Sequence, residues 1–429
     1  MTLNRTQQPP VTPFGVLTIP MPVIETLPNG CLLYIIDKGD QDVSRIDILF
    51  EGGRYVAQNP AIAELTGPML RKGIPGMDEN DLALLFDYHG AWIQTAMTQH
   101  YSTISLFSLN RNLHKLLPSV IAMITSPTLP EQSFDTLQQQ RIQQQLINRE
   151  KVRILAGETF NSLIFGEKHP YARSTKPHDL ETATLDDIRE YHKRYYTNTP
   201  IRVILSGRIT PDVTQLVREC FGSLPSCQTA VTTQFVPTAP QEQHRVVTHK
   251  GGAMQSALRL GMPTIDITHP DFPALSMLNL ILGGYFGSRL MTNIREEKGY
   301  TYGISSHIIS MRNATYFTII TETGTEYTQL LIDEVLNEMN RLCQEIIPAD
   351  ELETARNYMQ GQRARTLDSP FSISDYILSS IVAGNPIDYF NHENNAIRNM
   401  TAQELLRVAN THLHPDQLYI AIAGDKDKI

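Results

Sequence analysis

The chain has 429 residues, of which 41% are hydrophobic, and it carries a formal net charge of −9 at pH 7. This length predicts two or more domains with buried cores. The acidic balance argues against a nucleic-acid-binding surface, which requires clustered basic residues. No apolar run approaches the ~20 residues of a membrane-spanning helix, and residues 1–10 lack the charged and apolar regions of a secretory signal.

The cysteines indicate a reducing environment. There are four of them, at Cys31, Cys220, Cys227 and Cys343. None of their spacings is the Cys-x-x-Cys of a zinc or redox site, and the set does not indicate a disulfide framework. We therefore expect a cytoplasmic protein.

The first hundred or so residues have the pattern of strands interrupted by a helix. Alternating apolar residues predict strands at 31–36, 45–50, 90–96 and 101–107. Between the second and third of these, Asn59-Pro60 fits the N-cap and first position of a helix. This stretch of the chain therefore predicts a sheet with a helix inserted after its second strand.

A polar helix is predicted between Phe134 and Leu146. Six of the eight residues from 138 to 145 are Gln, which would form one face. Leu137, Ile142 and Leu146 recur at helical spacing and would form the apolar face. The simplest interpretation is a surface helix that packs through those three leucine and isoleucine side chains.

A helix-then-strand unit occurs twice along the chain. Thr184 opens one helix, and the strand that follows ends at Gly207; Thr401 opens another, and its strand ends at Gly424. The separation is 23 positions in each (184 to 207 and 401 to 424). Each start combines a Thr cap with acidic residues in the first turn. The matched spacing predicts an internal duplication.

A proline-bearing connector divides the chain into near halves. Residues 225–243 include Pro225, Pro237 and Pro240, and they carry no charged residue before Glu242. Such composition is typical of an extended, semi-rigid linker. The sequence therefore predicts an α+β protein with tandem homologous domains at 1–224 and 244–429, joined by the linker 225–243.

The segment from Gly283 to Ser306 is the most informative part of the second half. Its glycines permit a tight backbone. Ser288 is placed to cap a short helix, Gly299 to end it, and a strand follows. This places Arg295 near a helix end and Tyr302 on the next strand, where both could point at one spot. A solvated helix end and an ordinary sheet face are the alternative interpretation.

This segment resembles the C-terminal-domain hallmark of the pitrilysin/insulinase (M16-type) zinc peptidases. There, a Gly-Gly-x-x-x-Ser-Arg-Leu loop leads into Arg-Glu-x-x-Gly-x-x-Tyr. The resemblance implies two tandem M16-type α/β-sandwich domains, each with a mixed or antiparallel sheet flanked by helices. It also implies that Arg295 and Tyr302 hold the backbone of a substrate peptide near the zinc.

The first half departs from the family at its metal site. The family's helix reads Leu-Ala-His-Phe-Leu-Glu-His-Met-Leu-x-x-Gly, and the segment from Ala63 to Gly73 aligns with it. Glu64 replaces the first His, Gly67 replaces the general-base Glu, and Pro68 replaces the second His. Because a catalytic zinc needs about three protein ligands, we expect this chain to bind no catalytic metal.

The family's remaining ligand is a Glu on a downstream helix. The register leaves open which of Gln143, Gln144 and Gln145 occupies that position. Each carries a neutral amide, whereas the metal requires an anionic ligand at this position. We therefore favour the interpretation that these residues form an ordinary polar helix face. Whether Glu64 keeps any residual metal affinity stays open.

In some members of this family, the zinc-binding motif and the Arg and Tyr residues are divided between two subunits. One carries His-x-x-Glu-His and zinc, and the other carries the Arg and the Tyr; this chain resembles the second, metal-lacking kind (M16B). We expect a non-catalytic subunit that contributes Arg295 and Tyr302 to peptide binding and transition-state stabilisation in a heteromeric zinc metallopeptidase, with the zinc on a His-x-x-Glu-His partner. The alternatives are a scaffold subunit, a chaperone-like peptide binder, and a homodimer of the isolated chain.

Overall fold

The computed structural model describes residue 6, residues 15–225, residue 236 and residues 242–429. The strands are β1 (Val23–Thr26), β2 (Leu32–Asp37), β3 (Val43–Phe50), β4 (Gly73–Ile74), β5 (Met77–Asp78), β6 (Trp92–Met97), β7 (Ser102–Leu109), β8 (Ile201–Gly207), β9 (Arg245–His249), β10 (Gln255–Pro263), β11 (Thr301–Met311), β12 (Ala314–Gly324) and β13 (Tyr419–Gly424).

The α-helices are α1 (Pro60–Met69), α2 (Glu79–Tyr88), α3 (Leu113–Thr125), α4 (Glu131–Arg149), α5 (Val152–Phe165), α6 (Pro177–Thr182), α7 (Leu185–His192), α8 (Pro211–Gly222), α9 (Phe272–Asn279), α10 (Thr328–Gln344), α11 (Ala349–Thr366), α12 (Pro370–Ala383), α13 (Tyr389–Asn399) and α14 (Ala402–His412). Stretches of π-helix lie at Lys193–Thr197, Leu280–Gly284 and Met291–Glu297. Within the described residues, no helix is long and apolar enough to cross a membrane.

The two large sheets share one topology. The first has the strand order β1-β2-β8-β3-β7-β6, and the second has the order β9-β13-β10-β12-β11. Apart from β1, the strands correspond one to one in chain order. Each sheet contains one parallel pair, β2 with β8 and β13 with β9, among antiparallel neighbours. The predicted α+β fold, with sheets flanked by helices, is confirmed.

The repeated unit has the same local chemistry in both halves. Thr184 caps α7 by accepting a hydrogen bond from the backbone N–H of Asp187 at 3.2 Å. Thr401 caps α14 by accepting one from Glu404 at 3.2 Å. Each helix leads into the strand that makes the parallel pair of its sheet. The 23-residue spacing therefore marks equivalent positions in a duplicated fold.

Each sheet packs one face on helices of its own half. In the first half, Ile46 and Ile48 of β3 join Leu65 of α1 and Leu116 of α3 in a fully buried core. The second half has an equivalent core, formed by Leu258, Leu260, Leu278, Val335 and Leu405. Burying each such side chain contributes ~1.5–3 kcal/mol.

The other face of each sheet is covered by a helix from the opposite half. Ile373 and Ile377 of α12 pack on Tyr34 and Ile204 of the first sheet. Reciprocally, α5 lies on β9, β10 and β13 of the second sheet, where its Phe160 joins the core. The two halves therefore exchange helices, and β3 and β8 are buried on both faces.

A buried polar cluster fixes α12 on the first sheet. Asp47 of β3 is fully buried and accepts hydrogen bonds from Arg45 Nε at 2.9 Å, Ser105 Oγ at 2.5 Å and Ser374 Oγ at 3.1 Å. The Arg45 guanidinium also reaches Asp375 of α12 at 2.6 Å. A buried charge is tolerated only when it is paired. Because α12 supplies some of the partners in this cluster, the cluster restricts the positions in which α12 can pack on the first sheet.

The end of α4 and the linker differ from the rest in how they compare with the sequence-based expectations. Leu146 was expected on the apolar face of α4, but it is 47% exposed, whereas Leu137 and Ile142 are buried. The buried side chains of α4 lie between Phe134 and Ile142, so its last two turns project beyond the core. Residues 226–235 and 237–241, most of the predicted linker, lie outside the described residues.

Candidate functional site

The glycine-rich segment is built from two stretches of π-helix. The first continues α9 through Gly284, and the second ends before Gly299, whose φ of +67° suits the predicted stop. The expected Ser288 cap is wrong. Ser288 is fully buried, and its Oγ has no hydrogen-bond partner among the described residues. Its hydroxyl therefore cannot reach the N–H groups of the first turn.

Gly283 allows the first π-turn to lie directly against β11. A Cβ at this position would stand 2.7 Å from Ser306 Oγ and 2.8 Å from the Ser306 backbone nitrogen. Real Cβ atoms do not approach other atoms so closely, and the obstructing atoms include backbone. The glycine therefore sets the distance between the helical segment and the strand that carries Tyr302.

Replacing Gly283 with alanine should destabilise the chain by ~1–3 kcal/mol, the usual cost of overpacking a close contact. Urea unfolding would measure the change in free energy. Gly303→Ala is the matched control, since a Cβ there meets nothing within 4 Å. Equal midpoints for the two variants would contradict the close-approach interpretation.

A β-bulge at the start of β11 turns Tyr302 outward. The register with β12 shifts between Thr301 and Ile304. Thr301 Oγ1 holds the bulge by donating to the Glu322 carbonyl at 2.6 Å and accepting from the Gly303 N–H at 3.1 Å. As a result, Tyr302 is 93% exposed.

The structure brings Arg295 and Tyr302 together. The Nε of Arg295 donates to the Tyr302 carbonyl at 2.9 Å, and its guanidinium carbon lies 5.9 Å from the Tyr302 ring centroid. The ring of Phe286 also lies near it, with its centroid 5.0 Å from the guanidinium carbon. Glu296 is only a distant ion-pair partner, at 3.9 Å. The guanidinium therefore contacts two aromatic rings and has no close carboxylate partner among the described residues.

Sequence reasoning missed Phe286. The sequence did contain one sign of its role, which is an aromatic residue among the glycines of Gly-Gly-Tyr-Phe-Gly. An apolar side chain in such a loop segment is poorly placed to be buried. Phe286 is 63% exposed. Cation–π contacts of this geometry contribute ~0.5–1 kcal/mol at exposed sites.

This arrangement suits the recognition of a peptide backbone. A guanidinium and a phenol are both hydrogen-bond donors, and both lie at the start of β11, an edge strand of the second sheet. An edge strand offers backbone groups to an added strand. An extended peptide added beside β11 would therefore lie next to both donors.

In the first half, the helix equivalent to α9 is α1, since α1 follows β3 as α9 follows β10. As predicted, Asn59 caps it by accepting from the Ala61 N–H at 2.9 Å, and Pro60 takes its first position. α1 lies against β6, the edge strand equivalent to β11, and a Cβ on Gly67 would stand 3.4 Å from Thr95. The helix ends one residue after Pro68.

The residues at α1 do not fit a catalytic zinc. Glu64 is the one position of the degenerate motif that offers a ligand atom, because Gly67 and Pro68 offer none. On α4, Gln143 and Gln144 are exposed and Gln145 is half-buried. In the described part of the chain, Glu64 belongs to no group of three potential ligands.

Comparison with protein families gives a match in the middle of the chain. A sequence profile described as peptidase M16 inactive domain matches residues 182–359, which include both Arg295 and Tyr302. Residues 182–359 form a peptidase M16 inactive domain.

The relatives of this M16 chain have mixed descriptions. It is 28% identical over 184 residues to the uncharacterized zinc protease YmxG of Bacillus subtilis, a match spanning 43% of this chain and 44% of that protein. It is 20% identical over 392 residues to the non-peptidase homolog YmxG of Helicobacter pylori, covering 89% of each.

A solved structure shows the same fold as the M16 chain. The crystal structure of a peptidase M16 inactive domain from Pseudomonas fluorescens superimposes with a TM-score of 0.87. The match covers 94% of this chain and 98% of that chain, at 22% identity. At that identity, the likeness establishes the fold alone.

Another polar cluster of the chain has the residue types of a metal site. Within the described residues, His269, Asp271 and His412 are the one trio of potential ligands close enough together. The Asp271 carboxylate already accepts from Arg407 at 2.5 Å and from His412 at 2.9 Å. The Arg407 guanidinium holds the pKa of Asp271 well below its usual range. We interpret the cluster as a set of polar contacts that holds α9 against α14.

Proposed function

We propose that this chain is a non-catalytic, zinc-free M16 subunit of a heteromeric zinc metallopeptidase in the cytoplasm. It binds the substrate peptide and stabilises the transition state through Arg295 and Tyr302, and a partner with an intact His-x-x-Glu-His motif brings the zinc. The observation that carries the proposal is the contrast between the two halves. Arg295 is oriented and open to a ligand, whereas α1 has lost its ligands and its general base.

The contribution of Arg295 follows from charge. When a peptide bond is cleaved, negative charge develops on its carbonyl oxygen, and donors already oriented there stabilise it. Nε of Arg295 is occupied by the Tyr302 carbonyl, and contacts with the rings of Phe286 and Tyr302 further restrict the side chain. Little conformational freedom is then left to lose when a substrate binds.

The contribution of Tyr302 follows from its position. The bulge held by Thr301 places the phenol outside the sheet, where it can donate to the same carbonyl group or to the next one along the peptide. A peptide added beside β11 would gain backbone hydrogen bonds as well. Binding and transition-state support would therefore use one continuous surface.

Reconstitution tests this proposal. The gene neighbourhood is searched for a His-x-x-Glu-His homologue, and the two chains are purified separately and mixed. We expect zinc-dependent peptidase activity that neither chain shows alone, and its loss on treatment with a chelator. Metal analysis of each chain should place the zinc on the partner.

Three results would contradict the proposal. The first is stoichiometric zinc and peptide cleavage by this chain alone, with contaminating proteases excluded. The second is a stable complex with the partner that cleaves no peptide in a library, which would favour a scaffold. Peptide binding without any cleavage by the complex would favour a chaperone-like protein.

A further inference from the structure

The face of the second sheet that lies towards α5 carries an unpaired cation. Arg259 of β10 is opposite Ile320 of β12, and Ile320 is opposite Ser305 of β11. Directly opposed residues point to the same side of a sheet. α5 covers this side over β9, β10 and β13, whereas His307 on the same side of β11 is exposed.

Arg259 lacks a partner among the described residues. Its Nε is buried without a hydrogen-bond acceptor, and no carboxylate of the described chain lies within ion-pair distance of its guanidinium. The guanidinium lies against α5, where a Cβ on Gly157 would stand 3.5 Å from it. Burial, reinforced by the nearby Arg153, lowers the pKa of Arg259. A partly buried guanidinium without an acceptor is costly, and an anion at its open side would remove that cost.

The surroundings of Arg259 are also cationic. Arg153, one turn before Gly157 on α5, is 61% exposed, and its ion pair with Glu322 is long, at 3.9 Å. Partial burial, and then Arg259, lower the pKa of His307, which leaves its ring as a neutral hydrogen-bonding group. Two guanidinium groups therefore face one loosely held carboxylate, in a chain whose net charge is −9.

We propose that Arg259 and Arg153 form a carboxylate-binding subsite for the peptide held along β11. Ser305 and His307 lie three and five residues beyond Tyr302 on this strand, or roughly 10–17 Å at the rise of an extended chain. Measured along the strand, the carboxylate-bearing residue of the peptide would therefore lie about that far from the bond held at Arg295, and its side chain would point across the sheet face towards Arg259 on β10. This inference rests on the proposed function for the position of the peptide, and it names the substrate class as acidic.

The test measures peptide binding to the isolated, full-length chain by fluorescence anisotropy. Three labelled peptides of one length are compared: one with internal Glu residues and an amidated end, one with Gln at those positions and a free C-terminal carboxylate, and one with neither carboxylate. We expect the neutral peptide to bind about tenfold more weakly than at least one acidic peptide, as for the loss of a charge-assisted hydrogen bond. The tighter of the two acidic peptides identifies the source of the carboxylate.

The variants separate this subsite from general charge effects. Arg259→Gln and Arg153→Gln should each remove most of the preference for the acidic peptide, whereas Glu322→Gln should increase it. Arg111→Gln, which changes an exposed arginine of the first half, should leave it unchanged. Arg153 is exposed enough for its variant to fold even if Arg259→Gln does not, and thermal unfolding checks both.

Equal binding of all three peptides would overturn the inference, as would a preference that persists undiminished in Arg153→Gln and does not increase in Glu322→Gln. Neither result depends on zinc or on the partner chain. A preference for acidic peptides with no activity in the reconstituted complex would overturn the proposed function and leave the subsite standing.

Discussion

Arg295→Gln should lower kcat/KM of the reconstituted complex by ~10²–10³-fold, the usual effect of removing one preorganised donor from a developing oxyanion. Glutamine is too short to reach the Tyr302 carbonyl and the substrate together, and it carries no charge. Assembly should be unaffected, because the Arg295 side chain is held by Phe286 and Tyr302 of its own chain. Steady-state kinetics and size-exclusion chromatography measure the two properties separately.

Two companion variants sharpen this result. Tyr302→Phe keeps the ring beside Arg295 and the backbone carbonyl that orients it, so any fall in kcat reports the hydroxyl alone. Arg398→Gln changes an exposed arginine of α13 and should leave the kinetics unchanged. If the complex retained full activity in both Arg295→Gln and Tyr302→Phe, the assigned site would be wrong.

Asp47→Ala should destabilise the protein by ~3–5 kcal/mol, because it removes the buried carboxylate of Arg45 and leaves this buried guanidinium with only the exposed Asp375. The Arg45 side chain is 9% exposed and that of Asp47 is 0% exposed. The same change removes the acceptor of Ser374, so the contact of α12 with the first sheet is weakened as well. Urea unfolding followed by circular dichroism measures the loss.

Asp375→Asn provides the matched control for this cluster. Asp375 binds the same guanidinium, but its side chain is 64% exposed, so the loss should be at most ~1 kcal/mol. A similar loss for both variants would mean that burial does not set the strength of this cluster. An unchanged midpoint for Asp47→Ala would refute the structural interpretation outright.

Much of the fold was predictable because its signals are local. Asn59-Pro60 marks the start of α1, and Thr184 and Thr401 mark equivalent helices, since caps depend on a few neighbouring residues. The strand pattern and the duplication followed from spacing. The pairing of Arg295 with Tyr302 needed the family resemblance, because residue types alone favoured an ordinary helix end.

The features that the sequence did not predict depend on distant contacts. Ser288 has the chemistry of a cap, but the surrounding core buries it. Leu146 continues a helical apolar pattern, but α4 extends past the surface it would pack on. The sequence of α5 gives no indication of which sheet it covers, and the isolation of Arg259 becomes visible only when three strands and α5 are in place.

The exchange of α5 and α12 between the halves has a consequence for motion. Opening the two halves like a hinge would strip each sheet of the helix that shields one of its faces, and it would expose the Asp47 cluster to solvent. Such an opening is expensive on the scale of the stability of a typical domain. The two halves of this chain would therefore move together as one rigid body. In an assembly of the proposed kind, a substrate would enter when one subunit moves away from the other.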